Sequence, residues 1–208
     1  MNSAAPPISD KKIALTGGIA TGKTTVANRL RELGAIILDA DEYARRAVEP
    51  GRASHAALRE FIGEGFFHPD GALKRGELRR RIIREPELLA GVNAIVHPAI
   101  AESMREEWER LKGQSPGAVI VFDIPLLFEG GREKSYDIII LVYSTRAVQL
   151  KRLMERDGLS LSEAERTLSI QLPIDFKRER SDYIIENSEE LQATLRQVEE
   201  LWGRLWRL

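Results

Sequence analysis

The chain has 208 residues, enough for one well-buried core with a lobe inserted into it. Its 31 basic and 32 acidic residues leave a net charge of −1, so no global field draws it to nucleic acid or to an anionic membrane. It contains no cysteine, which excludes disulfides, thiolate metal sites and cysteine nucleophiles.

The first ten residues lack the apolar stretch of a signal peptide, and residues 1–11 read as a flexible arm. Residues 13–16 are short and apolar, and read as a strand. They run into Gly17-Gly18-Ile19-Ala20-Thr21-Gly22-Lys23-Thr24-Thr25, which has the spacing of a P-loop. Residues 26–33 then read as a helix that Gly34 ends. Strand, glycine loop and helix in this order bring successive backbone N–H groups and a helix N-terminus onto one phosphate. Gly18, Ala20, Thr21, Gly22, Lys23, Thr24 and Thr25 form that nucleotide-binding loop. Lys23 reaches the β- and γ-phosphates, and Thr24 offers its hydroxyl to Mg²⁺.

Residues 35–39 read as a second strand ending in Asp39-Ala40-Asp41, at the carboxyl edge where open α/β sheets bind ligands. On an extended strand two carboxylates spaced by two point the same way. One orients an acceptor hydroxyl or takes its proton, and the other helps to hold metal-bound water. Asp41 also fits the N-cap of a helix over residues 42–48. From about residue 41 to 112 no strand is evident. That stretch holds a turn at His68-Pro69-Asp70-Gly71 and several charged helical segments, and reads as a helical insertion. Lys74, Arg75, Arg79, Arg80 and Arg81 form its densest basic cluster, either a grip for an anionic substrate or a solvated helix face. His55 and His68 have no partner at metal-ligand spacing. His97 follows Ile95-Val96 and precedes Pro98, which restricts the backbone before it; such a histidine is usually structural.

Residues 119–123, Ile138–Tyr143 and, more weakly, Tyr183–Glu186 complete five continuous apolar runs, the pattern of strands covered by helices on both faces. Their alternation with helices predicts a doubly wound parallel α/β sheet. Asp123 ends its run as a Walker B acid does, placing it on Mg²⁺, whereas Asp137 precedes its strand. Residues 146–180 are rich in Arg, Lys and Glu. Arg152 and Arg156, four apart, share a helix face, either neutralising a transferring phosphoryl group or lying solvated. Ser160 and Ser162 each have a Glu three residues later and could each cap a helix. A final helix over residues 189–205 shows a core stripe of Leu191, Leu195, Val198, Leu201, Trp202 and Leu205, with Asn187 and Glu190 at its start. The longest apolar runs are too short to span a bilayer, and a cytoplasmic protein is expected.

These motifs, taken in order, resemble one family. They are Leu15-Thr16-Gly17-Gly18-Ile19 running into Thr21-Gly22-Lys23-Thr24-Thr25, Asp39-Ala40-Asp41, Ala44-Arg45, Glu49-Pro50-Gly51, Asp70-Gly71 with Leu73 and Arg75, His97-Pro98 and Pro125-Leu126-Leu127-Phe128-Glu129. Gln149 with Arg152, Arg156-Asp157, Gln171, Lys177 and Asp182-Tyr183-Ile184-Ile185 to Asn187 follow. Over residues 12–200 the chain resembles dephospho-coenzyme A kinase. The resemblance implies a P-loop NTPase-type doubly wound sheet of five parallel strands, with a helical substrate-lobe insertion and a helical lid. It implies one kinase domain over 12–208: a core at about 12–40, 113–145 and 181–208, a substrate lobe at 41–112 and a lid at 146–180. The activity implied is transfer of the γ-phosphoryl of ATP, with Mg²⁺, to the 3′-hydroxyl of dephospho-coenzyme A, the last step of coenzyme A biosynthesis. Asp41 is then the catalytic base, working with Lys23 and with Arg156, the lid arginine over ATP. Arg45 and His97 bind the acceptor, and Thr24, Asp39 and Asp123 serve the metal. The expected partner is the small-molecule acceptor, with no nucleic acid and no membrane, and the expected state is a monomer or weak homo-oligomer. Ala20 departs from the family, which usually has Gly there. A kinase for another small alcohol or a nucleoside monophosphate, and a non-catalytic ATP-dependent regulatory module, are the alternatives. A GTPase is disfavoured because the chain has no Asn-Lys-x-Asp signature.

Overall fold

The computed structural model describes residues 8–205. Residues 1–7 of the expected arm and residues 206–208 at the end of the expected core lie outside that range. The described chain forms two compact units, residues 8–38 with 111–205, and residues 39–110.

The first unit is built on β1 (Ile13–Gly17), β2 (Ile36–Asp39), β3 (Ile120–Asp123), β4 (Ile138–Tyr143) and β5 (Tyr183–Glu186), in the order β2-β3-β1-β4-β5. Leu15 in the central β1 sits opposite Asp123 of β3 and Ile140 of β4, and the β1–β3, β1–β4 and β4–β5 pairings are parallel. Every residue of β1, β3 and β4 is buried, which is why these strands read as unbroken apolar runs. On one side α1 (Lys23–Glu32) and α9 (Leu191–Leu205) lay Val26, Leu30, Val198, Leu201 and Leu205 against Ile13, Leu15, Val121, Ile140 and Ile185. Each such side chain, taken out of water, contributes about 1.5–3 kcal/mol.

Four expectations are corrected in this unit. Residues 8–11 are not a flexible arm: Ile8–Asp10 forms a 3₁₀ turn, Ile8 is buried in the core and Asp10 pairs with Lys112 at 2.9 Å. A single apolar residue between polar ones carries no periodicity from which its docking can be read. In α9, Leu191 is 53% exposed, and the inner position of the first turn belongs to Thr194. Asn187 is not the helix start: α9 begins at Leu191, and the Asn187 side chain bridges the Thr21 carbonyl and the Thr194 hydroxyl, as described below. Helix α1 also begins at Lys23, three residues earlier than expected, because Gly22 in the left-handed region (φ 86°) delivers the chain directly into it.

Three shorter helices complete the unit: α6 (Arg146–Asp157), α7 (Leu161–Ser169) and α8 (Ile174–Arg178). Leu153, Ala164 and Leu168 form a small core between them, with Ile19 and Ala20 of the glycine loop packed against it. Ser160, not Ser162, caps α7, in a reciprocal capping box with Glu163.

The second unit contains α2 (Ala40–Ala47), α3 (Ala53–Ile62), α4 (Arg75–Ile82) and α5 (Pro86–Gln114), which continues past the boundary. Val48, Leu58, Phe67, Leu78 and Val92 form its core. The expected turn is present: Gly71 N–H bonds to the His68 carbonyl at 2.9 Å, and a bridge pairs Phe67 with Leu73. His55 Nε2 lies 2.8 Å from the Gly71 carbonyl and so carries the proton there. Helix α4 buries Leu78 and exposes Arg79, Arg80 and Arg81. Helix α5 runs through Pro98 without ending at His97, so the backbone restriction expected there is overridden by the packing of the helix. No helix among the described residues is long and apolar enough to cross a membrane.

Candidate active site

The glycine loop joins β1 to α1. Thr21 closes it by turning both its N–H (3.2 Å) and its hydroxyl (2.9 Å) onto the Gly18 carbonyl. Gly22 is required twice over. Its φ is positive, and a Cβ there would stand 2.2 Å from Asn187 Nδ2. A Cβ on Gly18 would meet Gln149 Nε2 at 2.7 Å. Ala20 has φ 61° and is the non-glycine residue with positive φ among the described residues. Alanine costs about 1 kcal/mol there relative to glycine. The N–H groups at the start of α1, with the positive end of the helix dipole, suit an anion; Thr25 N–H bonds back to the Gly22 carbonyl at 3.0 Å.

Lys23, at the head of α1, forms an ion pair with Asp123 at the end of β3; their side chains are 17% and 7% exposed. Thr24 is exposed beside it. Among the described residues no three His, Cys, Asp or Glu gather into a metal cage. A buried carboxylate and one hydroxyl instead fit Mg²⁺, which keeps several waters and takes the rest of its shell from substrate phosphates.

Five polar residues hold this loop; spacing had singled out Arg152 as a candidate site residue, but not Asn187, Gln149, Gln171 or Lys177. Asn187 Nδ2 donates to the Thr21 carbonyl (2.7 Å) while its Oδ1 accepts from Thr194 (2.7 Å). Gln149 Nε2 donates to the Ile19 carbonyl (2.6 Å), and the Ile19 N–H donates to Gln171 Oε1 (2.8 Å). Arg152 Nη1 donates to Ser144 Oγ (3.1 Å) and lies 3.5 Å from the Ala20 carbonyl. Lys177, fully buried, pairs with Glu129 at 2.7 Å and lies 3.4 Å from the Gly17 carbonyl. One signal pointed to Asn187: it directly follows β5, as Asp39 and Asp123 end β2 and β3. The others leave no mark on periodicity.

Arg152 and Arg156 therefore do not share an environment. Arg156 is 61% exposed and bonds bidentately to its neighbour Asp157 (2.7 Å each). That bond raises the guanidinium pKa and holds the Asp157 carboxyl below the usual carboxylate range.

In the second unit, Asp39 Oδ1 accepts the Asp41 N–H at 2.8 Å and caps α2. Two expectations are corrected here. The strand stops at Asp39, so Asp39 and Asp41 do not share an extended face, and Asp39, not Asp41, is the N-cap. The cause is local: the Asp39 carboxylate satisfies an orphan N–H, and the helix starts at Ala40. Asp41 lies in the exposed first turn and no described side chain pairs with its carboxylate. Arg45 is exposed in the last turn of α2, where its carbonyl accepts from Arg75 Nη2 (2.8 Å). His97 is half-buried on α5.

A family model described as dephospho-CoA kinase matches residues 11–193. A dephospho-CoA kinase of Anaeromyxobacter dehalogenans is 46% identical over 176 residues, 85% of this chain and 83% of that protein. A crystal structure from Thermus thermophilus superposes with a TM-score of 0.78 at 33% identity, covering 97% of this chain and 99% of its own. The dephospho-CoA kinase of Campylobacter jejuni shares the fold, with a TM-score of 0.73 at 23% identity over 94% of this chain and 97% of its own.

Proposed function

The chain belongs to the dephospho-CoA kinase family, and from that premise we propose how its residues divide the work. It is a kinase of coenzyme A biosynthesis that phosphorylates the 3′-hydroxyl of dephospho-coenzyme A. The observation carrying the residue roles is the glycine loop, with Lys23 at the head of α1 paired to the buried Asp123. In this reading the ATP triphosphate is cradled by the N–H groups of residues 18–25, and Lys23 exchanges Asp123 for the β- and γ-phosphates. Thr24 and Asp123 would hold Mg²⁺, with Asp39 a further acid on the metal side, and Mg²⁺ held there would neutralise phosphate charge.

Arg45 and His97 hold the acceptor. Asp41 orients its 3′-hydroxyl and accepts the proton late, as the new O–P bond forms and the bond to ADP breaks. Arg156 leaves Asp157 to stabilise the transferring group. We assign the enzyme to the cytoplasm, where its ATP is available. A coupled ADP-release assay tests the reading across dephospho-coenzyme A, shikimate, gluconate and CMP. Only the first is expected to turn over efficiently, and a comparable kcat/KM for any other would overturn it. Lys23→Ala is expected to keep the fold and lower kcat by on the order of a thousandfold, the scale of a lost transition-state contact.

A further inference from the structure

The peptide units of Ile19 are gripped from both sides. The Ile19 N–H ends on Gln171 Oε1, beyond α7, and the Ile19 carbonyl receives Gln149 Nε2 from α6. Gln149 is 5% exposed, so its amide is committed to this contact in a buried setting. The next residue is Ala20, whose φ of 61° is one that a side chain normally avoids. Backbone in such a conformation persists only where its surroundings over-determine it. Packing of Ala20 against the Leu153–Ala164–Leu168 cluster adds a contact but no direction. The two glutamines supply the direction at Ile19, and Arg152, 3.5 Å from the Ala20 carbonyl, adds to it.

We propose that Gln149 and Gln171 are positioning residues for ATP. They clamp the Ile19 peptides and so hold Ala20 in the left-handed region, keeping the N–H groups that follow aimed at the phosphates. Without the clamp, Ala20 relaxes toward ordinary φ, the peptide after it swings, and the loop must be reordered each time nucleotide binds. The same loop with glycine at position 20 would depend on the clamp less, because glycine populates positive φ freely. Helix α6 and the loop, also linked by Arg152 to the Ala20 carbonyl, are thereby coupled through one residue's conformation.

The inference rests on the kinase reading, and its test is chosen to stand apart from turnover. Calorimetry reads the Kd of the non-hydrolysable analogue AMP-PNP with Mg²⁺ for wild type, Ala20→Gly, Gln171→Ala and the double variant, with KM for ATP and for the acceptor measured alongside. Gln171→Ala is expected to weaken AMP-PNP about tenfold, the scale of one well-placed hydrogen bond. The KM of the acceptor should stay within about twofold. In the Gln171→Ala background Ala20→Gly should recover at least about threefold more affinity than it gives in the wild-type background, the non-additivity expected of coupled residues. Gln171→Asn, one methylene too short to reach Ile19, keeps an amide in place and is read the same way if Gln171→Ala does not fold. Additive effects of the two substitutions would overturn the proposal. So would a Gln171 variant that lowers the melting temperature while leaving AMP-PNP affinity unchanged, since that is a purely structural role. Failure of wild type to phosphorylate dephospho-coenzyme A would instead strike the kinase reading and leave the AMP-PNP comparison intact.

Discussion

Asp39 and Asp41 are two positions apart and chemically identical, yet the backbone assigns them different work. Asp39 places one oxygen on the Asp41 N–H, so its carboxylate is partly committed to the helix end. Asp39→Ala should therefore cost about 1 kcal/mol in urea unfolding, whereas Asp39→Asn, itself a good cap, should keep stability and alter mainly the Mg²⁺ requirement. Asp41→Asn keeps the shape and an acceptor oxygen but cannot take a proton. It should bind both substrates nearly normally and lose roughly a hundredfold in kcat. Exchanged phenotypes would reverse the two roles. Lys177 raises a different issue. Its fully buried ammonium is balanced by Glu129, whose Oε2 is buried without a hydrogen-bond partner in the described structure. Lys177→Met leaves that carboxylate uncompensated and should cost about 3–5 kcal/mol, with much of the loss recovered when Glu129→Gln is added. Equal instability of the single and double variants would show that packing, not charge, is at stake.

At the scale of elements, helices α6 and α7 form a hairpin in which Arg152 faces inward while Arg156 is exposed. The Arg156–Asp157 pair is solvent-exposed, and exposed pairs contribute little, so releasing Arg156 toward a phosphoryl group meets only a small barrier. Arg156→Ala should lower kcat more than it weakens acceptor binding, and limited proteolysis within residues 146–180 should slow when nucleotide and acceptor are both present. Cleavage that ignores ligands would mark a rigid helix pair. Acid should loosen the same hairpin at α7. Bonds from the Ser160 hydroxyl and N–H hold the Glu163 carboxyl below its usual range. A depressed carboxylate contributes stability above its unfolded pKa, and that stability is lost as pH falls through the lower folded value. Protection against hydrogen exchange at the start of α7 should accordingly fall in wild type as pH drops below the usual carboxylate range, and depend less on pH in Ser160→Ala.

For the whole molecule, nucleotide acts as a stabiliser of the unit that holds the glycine loop. At a concentration 100 times its Kd, Mg²⁺–ATP analogue should add about 2.7 kcal/mol. For a chain of this size that raises Tm by roughly 5–10 °C. Lys23→Ala should abolish most of the shift without lowering the ligand-free Tm by a similar amount. An undiminished shift would remove Lys23 from the site. The near-zero net charge predicts only modest salt dependence of both the reaction and its thermal stability.

The glycine loop, the five strands and the strand-free stretch from 41 to 112 were legible in the chain itself, because each is written locally. The loop is a fixed spacing over eight residues, 17–24, and strands buried on both faces are largely apolar, as β1, β3 and β4 are apart from Thr16 and the terminal Asp123. Ser160 as a cap was likewise one of two local options. What holds the loop was not legible. Gln149, Gln171, Lys177 and Asn187 reach backbone groups of the loop from 130, 152, 160 and 166 positions away. Their partners are carbonyls and an N–H that every residue possesses, so no residue type in the loop announces them. Only the tertiary structure decided that Asn187 braces Thr21 instead of starting α9, that Arg152 faces inward while Arg156 does not, and that Ile8 belongs to the core. Hydrophobic pattern specifies which face of an element is buried, but the partner of a single polar side chain is settled by which distant backbone the finished fold brings within 3 Å.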